Sequence, residues 1–188
     1  MKGFVYNKRM NNEAVPEPVF SLVEATPEQV EDIFRIQKVT WLATYQNDEI
    51  GITSEMIEER FRDAEGRVHK WRESIEGGQS KIWLVKADDV AVGFCAVKKG
   101  ENNNRLAAIY VDPNQQGRGV GGRLIEQALQ YLGRDKDIIL DVVSYNDGAI
   151  GFYSKYGFEV MGEVPDEDLL KIGNIKLPEK RMVLKAIE

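Results

Sequence analysis

The stretch VDPNQQGRGVGGRLI, residues 111–125, decides the fold of this chain. The apolar run RLAAIYV at 105–111 leads into it and predicts a buried strand. The next three residues, Asp-Pro-Asn, predict a turn, because proline fixes φ and the Asp and Asn side chains bond their own backbone. Four glycines follow within six residues, namely Gly117, Gly119, Gly121 and Gly122. Apolar residues then recur at helical spacing, namely Val120, Leu124, Ile125, Ala128, Leu129 and Leu132.

A strand, a glycine turn and a helix N-terminus together favour anion binding. The first N–H groups of a helix have no partner within it, and the helix dipole adds roughly half a positive charge there. Glycines also let the backbone approach a pyrophosphate without a Cβ in the way. The sequence therefore predicts a pyrophosphate-binding loop, although a glycine turn that is merely flexible fits the same residues.

A dinucleotide-binding fingerprint is a further alternative, since Gly117, Gly119 and Gly122 satisfy G-x-G-x-x-G. Two features weigh against it. Residues 113–116 separate the first glycine from the strand, whereas in a dinucleotide fold the glycine follows almost at once. The acidic residue that should end the next strand, Asp141, instead lies inside the apolar run 138–143.

Two motifs resemble those of the GNAT superfamily of N-acetyltransferases. The pattern V-x-P-x-x-Q-G-x-G-x-G at 111–121 resembles the family's coenzyme A loop. The segment NDGAIGFYSKYGF at 146–158 resembles the family's N-x-x-A-x-x-x-Y-x-x-x-G-F segment, at the family's distance from the loop. The resemblance implies an α/β (α+β) fold, a single domain with a central mixed, mostly antiparallel, twisted sheet of about seven strands flanked by about four helices.

The element order predicted across residues 19–187 is β-α-α-β-β-β-α-β-α-β-β, and it matches the family. Residues 1–18 are predicted to form an N-terminal arm and residues 19–188 one domain. Thr26, Pro27 and Gln29 predict a capped start for the first helix, which runs to about residue 46. The other main predictions are a second, highly charged helix over 54–76, a hairpin over 81–98 and a long loop over 165–178.

The resemblance implies acetyl-CoA as a co-substrate and no metal. Backbone N–H groups of residues 116–122 would hold the pyrophosphate, and residues 109–111 would bond the pantetheine arm like an added strand. The N–H of Ile109 is the predicted donor to the acetyl carbonyl. The predicted coenzyme-binding residues are Ile109, Tyr110, Val111, Gln116, Gly117, Arg118, Gly119, Val120, Gly121, Gly122, Asn146, Tyr153 and Lys155.

Tyr153 matches the family's general acid position and would protonate the departing thiolate. The alternative is a core tyrosine whose hydroxyl bonds the backbone. Asp141 is the candidate general base, directly or through water, because an alkylamine with a pKa of about 10.4 arrives as ammonium. Otherwise Asp141 is a polar strand-end residue. Arg105 stands where histone-acetylating members keep a glutamate, which argues against a histone-type mechanism.

The first two helices wall the acceptor cleft in the family, so Trp41, Tyr45 and Glu49 are the predicted substrate-binding residues. Core packing of the two aromatic rings is the alternative. The acidic pair at 48–49, the acids at 166–168 and a net charge of −6 favour a small cationic amine such as a polyamine. Direct attack in a ternary complex is the expected mechanism. A protein N-terminus of the ribosomal-protein type and a non-catalytic acyl-CoA sensor stay open as alternatives.

The composition of the chain restricts its possible partners and cellular locations. The acidic balance argues against nucleic acid as a partner, and no apolar run approaches the ~20 residues of a membrane span. The single cysteine, Cys95, is expected to be a core thiol and fits a reducing cytoplasm, and His69 is expected on the surface. Homodimers are common in the resembled family, and the sequence leaves that question open.

Overall fold

The computed structural model of the chain describes residues 17–187, so the predicted arm over 1–18 lies outside it apart from its last two residues. The strands in the described residues are β1 Phe20–Glu24, β2 Lys81–Ala87, β3 Val90–Lys98, β4 Asn104–Val111, β5 Ile138–Val143, β6 Glu159–Glu163, β7 Lys171–Ile172, β8 Ile175–Lys176 and β9 Glu179–Leu184. The helices are α1 Val30–Thr44, α2 Ser54–Arg60, α3 Ala64–Glu76, α4 Val120–Leu132 and α5 Asp147–Ser154.

A seven-stranded sheet in the order β1-β2-β3-β4-β5-β9-β6 organises the fold. Only the β4–β5 pair is parallel among the pairs of this sheet within residues 17–187. Apolar side chains of α4 and α5 pack on one face, and those of α1, α2 and α3 on the other. The predicted mixed, mostly antiparallel α/β architecture is therefore confirmed, with five helices instead of about four.

The fifth helix arises because the predicted helix over 54–76 is broken in the middle. Phe61 ends α2 and is buried between the rings of Phe34 and Trp41. Asp63 then caps α3, since its Oδ1 accepts the N–H of Gly66 at 2.9 Å. The charged pattern continues through this break, so sequence periodicity alone did not reveal that Asp63 is an N-cap.

The predicted loop over 165–178 also differs from the structure. It contains the short antiparallel hairpin β7–β8. Ile172 and Leu177 of this segment are fully buried against the cluster that includes Trp41 and Val143. The segment is therefore a packed part of the α1 and α2 side of the sheet.

The two parallel strands separate soon after they begin. β4 and β5 pair only at Asn104–Ile138 and Arg105–Ile139. A register shift between β3 and β4 leaves Ala107 as an extra residue, and such a bulge bends the strand. Beyond Arg105 the β4 edge that faces β5 consequently has no strand partner among the described residues, and a gap opens between the two strands.

The helix α4 begins beside this gap and lies very close to the sheet. A Cβ on Gly93 of β3 would meet Cγ1 of Val120 at 2.8 Å and the carbonyl oxygen of Tyr110 at 3.1 Å. Only glycine at position 93 permits this approach. The packing fixes the N-terminus of α4 at the open end of the β4–β5 gap.

Candidate active site

The glycine loop leaves the first turn of α4 uncapped by any side chain. Gly119 is the N-cap and has φ 82°, and Gly117 has φ 77°, both in the left-handed region that favours glycine. The strand end is held by Thr40, whose Oγ1 donates to the carbonyl oxygen of Val111 at 3.3 Å. The first N–H groups of α4 have no acceptor within the helix and can serve an anion.

A cavity of about 540 Å³ lies between β4, β5, the glycine loop and the start of α5. It brings together most of the predicted site residues. These are Tyr45, Ile109, Tyr110, Val111, Gln116, Gly117, Gly119, Gly121, Gly122, Asp141, Asn146 and Tyr153. Thr40 and Phe152 also line the cavity, and the sequence had not indicated either of them.

The register of β4 shows which of its backbone groups face the gap. The N–H of Asp112 donates to the carbonyl oxygen of Val92 on β3 at 2.8 Å. N–H groups alternate in direction along a strand, so those of Ile109 and Val111 point away from β3 and toward β5. A ligand in the gap can therefore pair with β4 as an additional strand would.

Three predicted coenzyme-binding residues do not line the cavity. The side chain of Arg118 is exposed and donates to Oε1 of Gln115 at 3.0 Å. Val120 is only 1% exposed and packs in the core, so it can offer a ligand its backbone N–H alone. Lys155 is an exposed residue at the C-terminal end of α5.

Asn146 caps α5, and its Oδ1 accepts the N–H of Ala149 at 3.1 Å. The side chain therefore has a structural role while it also lines the cavity. Tyr153 lies farther along α5, with its ring packed edge-on against Phe152 and Phe158.

The hydroxyl of Tyr153 makes no hydrogen bond with any residue of the described range 17–187, and Tyr153 lines the cavity. The alternative of a core tyrosine bonded to the backbone is therefore not observed in this part of the chain. Burial, and then the neighbouring Tyr110 and Cys95, raise the pKa of Tyr153 above its ordinary value. The phenol is consequently protonated at neutral pH.

Asp141 is held by two arginines. Oδ2 accepts from Arg105 at 2.5 Å, and Arg181 donates to Oδ1 at 2.8 Å and to Oδ2 at 3.1 Å. Burial raises the pKa of the Asp141 carboxyl, but the hydrogen bonds from Arg181 and Arg105 outweigh it and hold the pKa below its usual range. A carboxylate stabilised in this way is a poor proton acceptor, so the geometry argues against Asp141 as the general base.

The three predicted substrate-side residues have different environments. Trp41 is 3% exposed, and its Nε1 donates to the hydroxyl of Tyr110 at 3.0 Å, so the core alternative describes it better. Tyr45 is partly buried and lines the cavity. Glu49 lies in an exposed 3-10 turn over Asp48–Ile50 and does not line the cavity, so the structure gives no support to its predicted contact with substrate.

Glu179 was missed by the sequence reasoning. It is the first residue of β9, is 8% exposed and lies opposite Val143 of β5. Its Oε2 accepts the N–H of Leu170 at 2.8 Å. A glutamate that follows a proline at a strand start is usually solvated, and the sequence carries no signal that this one is buried.

The two reactive side chains outside the site behave as expected. Cys95 is fully buried in β3, where burial raises the pKa of its thiol to about 12. His69 is exposed on α3 beside Glu73.

Within residues 17–187 no cluster of three or more His, Cys, Asp or Glu side chains is suitable for a metal ion. No helix in this range is long and apolar enough to span a bilayer.

The sequence and the fold both match known proteins. Peptidyl-lysine N-acetyltransferase YjaB of Salmonella typhimurium is 34% identical over 94 residues, and the match covers 50% of this chain and 60% of that protein. The Escherichia coli YjaB protein is 33% identical over 94 residues, with 50% and 59% covered. The chain thus spans about three fifths of the length of these curated relatives.

Solved structures share the fold over most of their length. The PaiA N-acetyltransferase of Thermoplasma acidophilum, in complex with coenzyme A, gives a TM-score of 0.71 at 19% identity and covers 89% of this chain and 99% of that one. YncA of Salmonella typhimurium with acetyl-CoA gives 0.64 at 19% identity, with 90% and 95% covered. A sequence model of the acetyltransferase (GNAT) family matches residues 29–158. Since this match extends over well more than half of the chain, the chain belongs to the acetyltransferase (GNAT) family.

Proposed function

We propose that this chain is an acetyl-CoA-dependent N-acetyltransferase that transfers the acetyl group to a primary amine by direct attack in a ternary complex. The observation that carries the proposal is the single cavity in which an uncapped helix N-terminus, the open edge of β4 and the Tyr153 hydroxyl meet. Each of these features matches one requirement of acetyl transfer.

The residues present fit the coenzyme. Gly117 and Gly119 have open space where a Cβ would lie, so the backbone of the loop is accessible to a pyrophosphate. The N–H groups of Ile109 and Val111 offer the pantetheine arm and the acetyl carbonyl donors along the β4 edge. A preformed N–H donor at the carbonyl oxygen stabilises the charge that develops there during attack.

The proposed acid is Tyr153. Its raised pKa keeps the proton on the phenol until the carbon–sulfur bond breaks. A free thiol has a pKa of about 8.5, so transfer to the sulfur is favourable only when it is coupled to that bond cleavage. The ring packing against Phe152 and Phe158 orients the hydroxyl in the cavity.

The acceptor is proposed to be a primary alkylamine. The contacts of the acidic residues give less support to a polyamine than the sequence did. The acids that favoured a polyamine are exposed or paired, since Glu49 lies outside the cavity, Asp166 bonds Lys176 and Asp168 lies 3.7 Å from Arg181. The N-terminal acceptor depended on Asp141, which two arginines hold. A lysine side chain of a peptide is therefore the second candidate beside a small amine, supported by the names of the two YjaB relatives.

A thiol-release assay tests the proposal. The protein is incubated with acetyl-CoA and with polyamines, aminoglycosides, amino acids, lysine-containing peptides and N-terminal peptides in turn, and acetyl-CoA binding is measured separately by calorimetry. Turnover with an amine is the expected result. Tight acetyl-CoA binding without turnover on any acceptor would favour the sensor alternative, and no binding would refute the coenzyme site.

A further inference from the structure

A second cavity, of about 360 Å³, lies on the α1 and α3 face of the sheet. Within the described residues its charged lining side chains are all cations, namely Arg67, Lys70 and Lys98. The chain as a whole has 31 acidic and 25 basic residues, so this lining differs in sign from the overall charge. A concave surface lined by charges of one sign attracts groups of the opposite sign. This cationic cavity therefore favours a ligand with a negatively charged group.

The three cations are available to such a ligand. None of them makes an ion pair with another residue of the range 17–187. Arg67 is held in place, because its Nε donates to the carbonyl oxygen of Arg60 at 2.8 Å and its guanidinium lies 4.6 Å from the centroid of the Phe61 ring. Lys70 and Lys98 are exposed.

Two carboxylates lie near the cationic cavity but outside its lining. Glu73 lines a neighbouring cavity together with Lys70, and the charge of Asp63, the cap of α3, acts on Arg67. Neither carboxylate lies within ion-pair distance of these cations. The positive charge of the cavity is therefore reduced but not cancelled.

The cationic cavity meets the proposed reaction site at Ala107. This exposed residue of the β4 bulge lines both cavities. Along β4, Ala107 precedes Ile109, the proposed donor to the acetyl carbonyl, and the glycine loop follows Val111. A coenzyme that extends from the glycine loop to Ile109 leaves the Ala107 end of the gap for the acceptor.

The separation between the cations and the reaction centre restricts the acceptor. Lys98 pairs with Arg105, four positions before Ile109, on the neighbouring strand. At about 3.3 Å per residue and about 4.8 Å between strands, the Cα atoms of Lys98 and Ile109 are roughly 14 Å apart. The carboxylate of a free amino acid lies closer to its amine than this. A peptide covers the span with about four extended residues.

We propose that the acceptor is a lysine side chain of a peptide that carries Asp or Glu within about three positions of that lysine. The inference rests on the proposed acetyl transfer. Arg67, Lys70 and Lys98 bind the acidic side chain, and this contact holds the acceptor lysine at the Ala107 end of the gap. The same cations repel a polyamine, which has no negative group to offer them.

The test compares blocked peptides that share one acceptor lysine and carry Glu, Gln or Arg at the flanking positions. Thiol release gives kcat/KM for each peptide at saturating acetyl-CoA. One exposed ion pair changes an equilibrium constant by up to about fivefold, so the Glu peptide should exceed the Gln peptide by about 10-fold, with the Arg peptide lowest. Higher ionic strength should reduce this preference, because salt screens exposed charges.

Substitutions of the two exposed lysines assign the preference to the cationic cavity. The double variant Lys70→Gln, Lys98→Gln should lower it to about twofold, since only Arg67 remains. Lys99→Gln is the matched control, because Lys99 is also exposed but its Nζ lies 4.6 Å from the centroid of the Tyr131 ring, which packs on the α4 side. The control should keep the full preference.

Two further measurements separate the outcomes. Calorimetry with acetyl-CoA and thermal unfolding should give the same values for the double variant and for wild type. Equal turnover of the Glu and Gln peptides, an unchanged preference in the double variant, or faster turnover of polyamines or free amino acids than of the Glu peptide would overturn this inference alone. Absence of turnover by wild type with every amine would overturn the proposed function, and this inference with it.

Discussion

Replacing Gly121 by valine tests the coenzyme site at the first turn of α4. A Cβ on Gly121 would lie 3.4 Å from two ring atoms of Phe152 and 4.0 Å from Cγ2 of Val111. A single methyl group would therefore just fit. The two additional methyl groups of valine must extend into the cavity between these neighbours, where the pyrophosphate would approach the backbone.

The size of the effect follows from the contacts that would be lost. A hydrogen bond to a charged group contributes about 1.5–3 kcal/mol. Displacing the phosphate from two N–H groups of the loop should weaken binding by about 3–6 kcal/mol, since the donors are the main attraction there. At 1.4 kcal/mol per factor of ten, Kd for acetyl-CoA should rise by about 10²- to 10⁴-fold. The helix itself should tolerate the change, because valine has no lower helix propensity than glycine.

Calorimetric titration with acetyl-CoA measures the affinity of the Gly121→Val protein, and thermal unfolding shows whether that protein is folded. Gly151→Ala is the matched control, because Gly151 lies in α5 with nothing within 4 Å of the added Cβ and outside the cavity. The control should keep the wild-type Kd and melt at the same temperature or slightly higher. A folded Gly121→Val protein with wild-type affinity would refute the reasoning.

Three other substitutions test separate parts of the site. Tyr153→Phe keeps the ring packing and should lower kcat by roughly 10²-fold with little change in coenzyme affinity, and an unchanged single-turnover rate would remove Tyr153 from the mechanism. Asn146→Ala removes the cap of α5 and should lower the free energy of unfolding by about 1 kcal/mol in urea titrations. Arg181→Met leaves Asp141 with Arg105 alone and should destabilise by about 1–3 kcal/mol at neutral pH. Because the folded pKa of Asp141 is lowered, that difference should be present above about pH 4 and vanish as pH falls through the folded pKa, and an acid-independent difference would contradict the ion-pair argument.

The backbone features of the proposed coenzyme site could be predicted from sequence because their signals are local. Gly117 and Gly119 need left-handed backbone, and both residues lie within one turn of the helix that they begin. Asn146 caps the helix that follows it directly. Each of these positions is determined by its neighbours in the chain, so motif and spacing were sufficient to place them at one cavity.

The proposed acceptor side depends on contacts between distant segments, which the sequence pattern does not reveal. Asp141 and Arg181 meet only because β5 and β9 pair in one register, and a shift of one residue would separate them. The hairpin β7–β8 packs on the α1 and α2 face through Ile172 and Leu177. The charged residues of this segment predicted a loop and gave no sign of that packing. Strand register therefore decides which carboxylate is neutralised by arginines.

The same register gives a reason for two carboxylates on one face. Asp141 and Glu179 come from neighbouring strands, two positions apart in the pairing, so their side chains lie on the same side of the sheet. The arginines bind Asp141, and its negative charge then acts on Glu179 and helps to raise the Glu179 pKa. Neutralising Asp141 by substitution should thus lower the Glu179 pKa, which carbon-13 NMR of glutamate-labelled protein would measure, and an unchanged or raised pKa would contradict the argument. The ion pairs of Asp141 join β4, β5 and β9 on the face of the sheet that also carries Glu179.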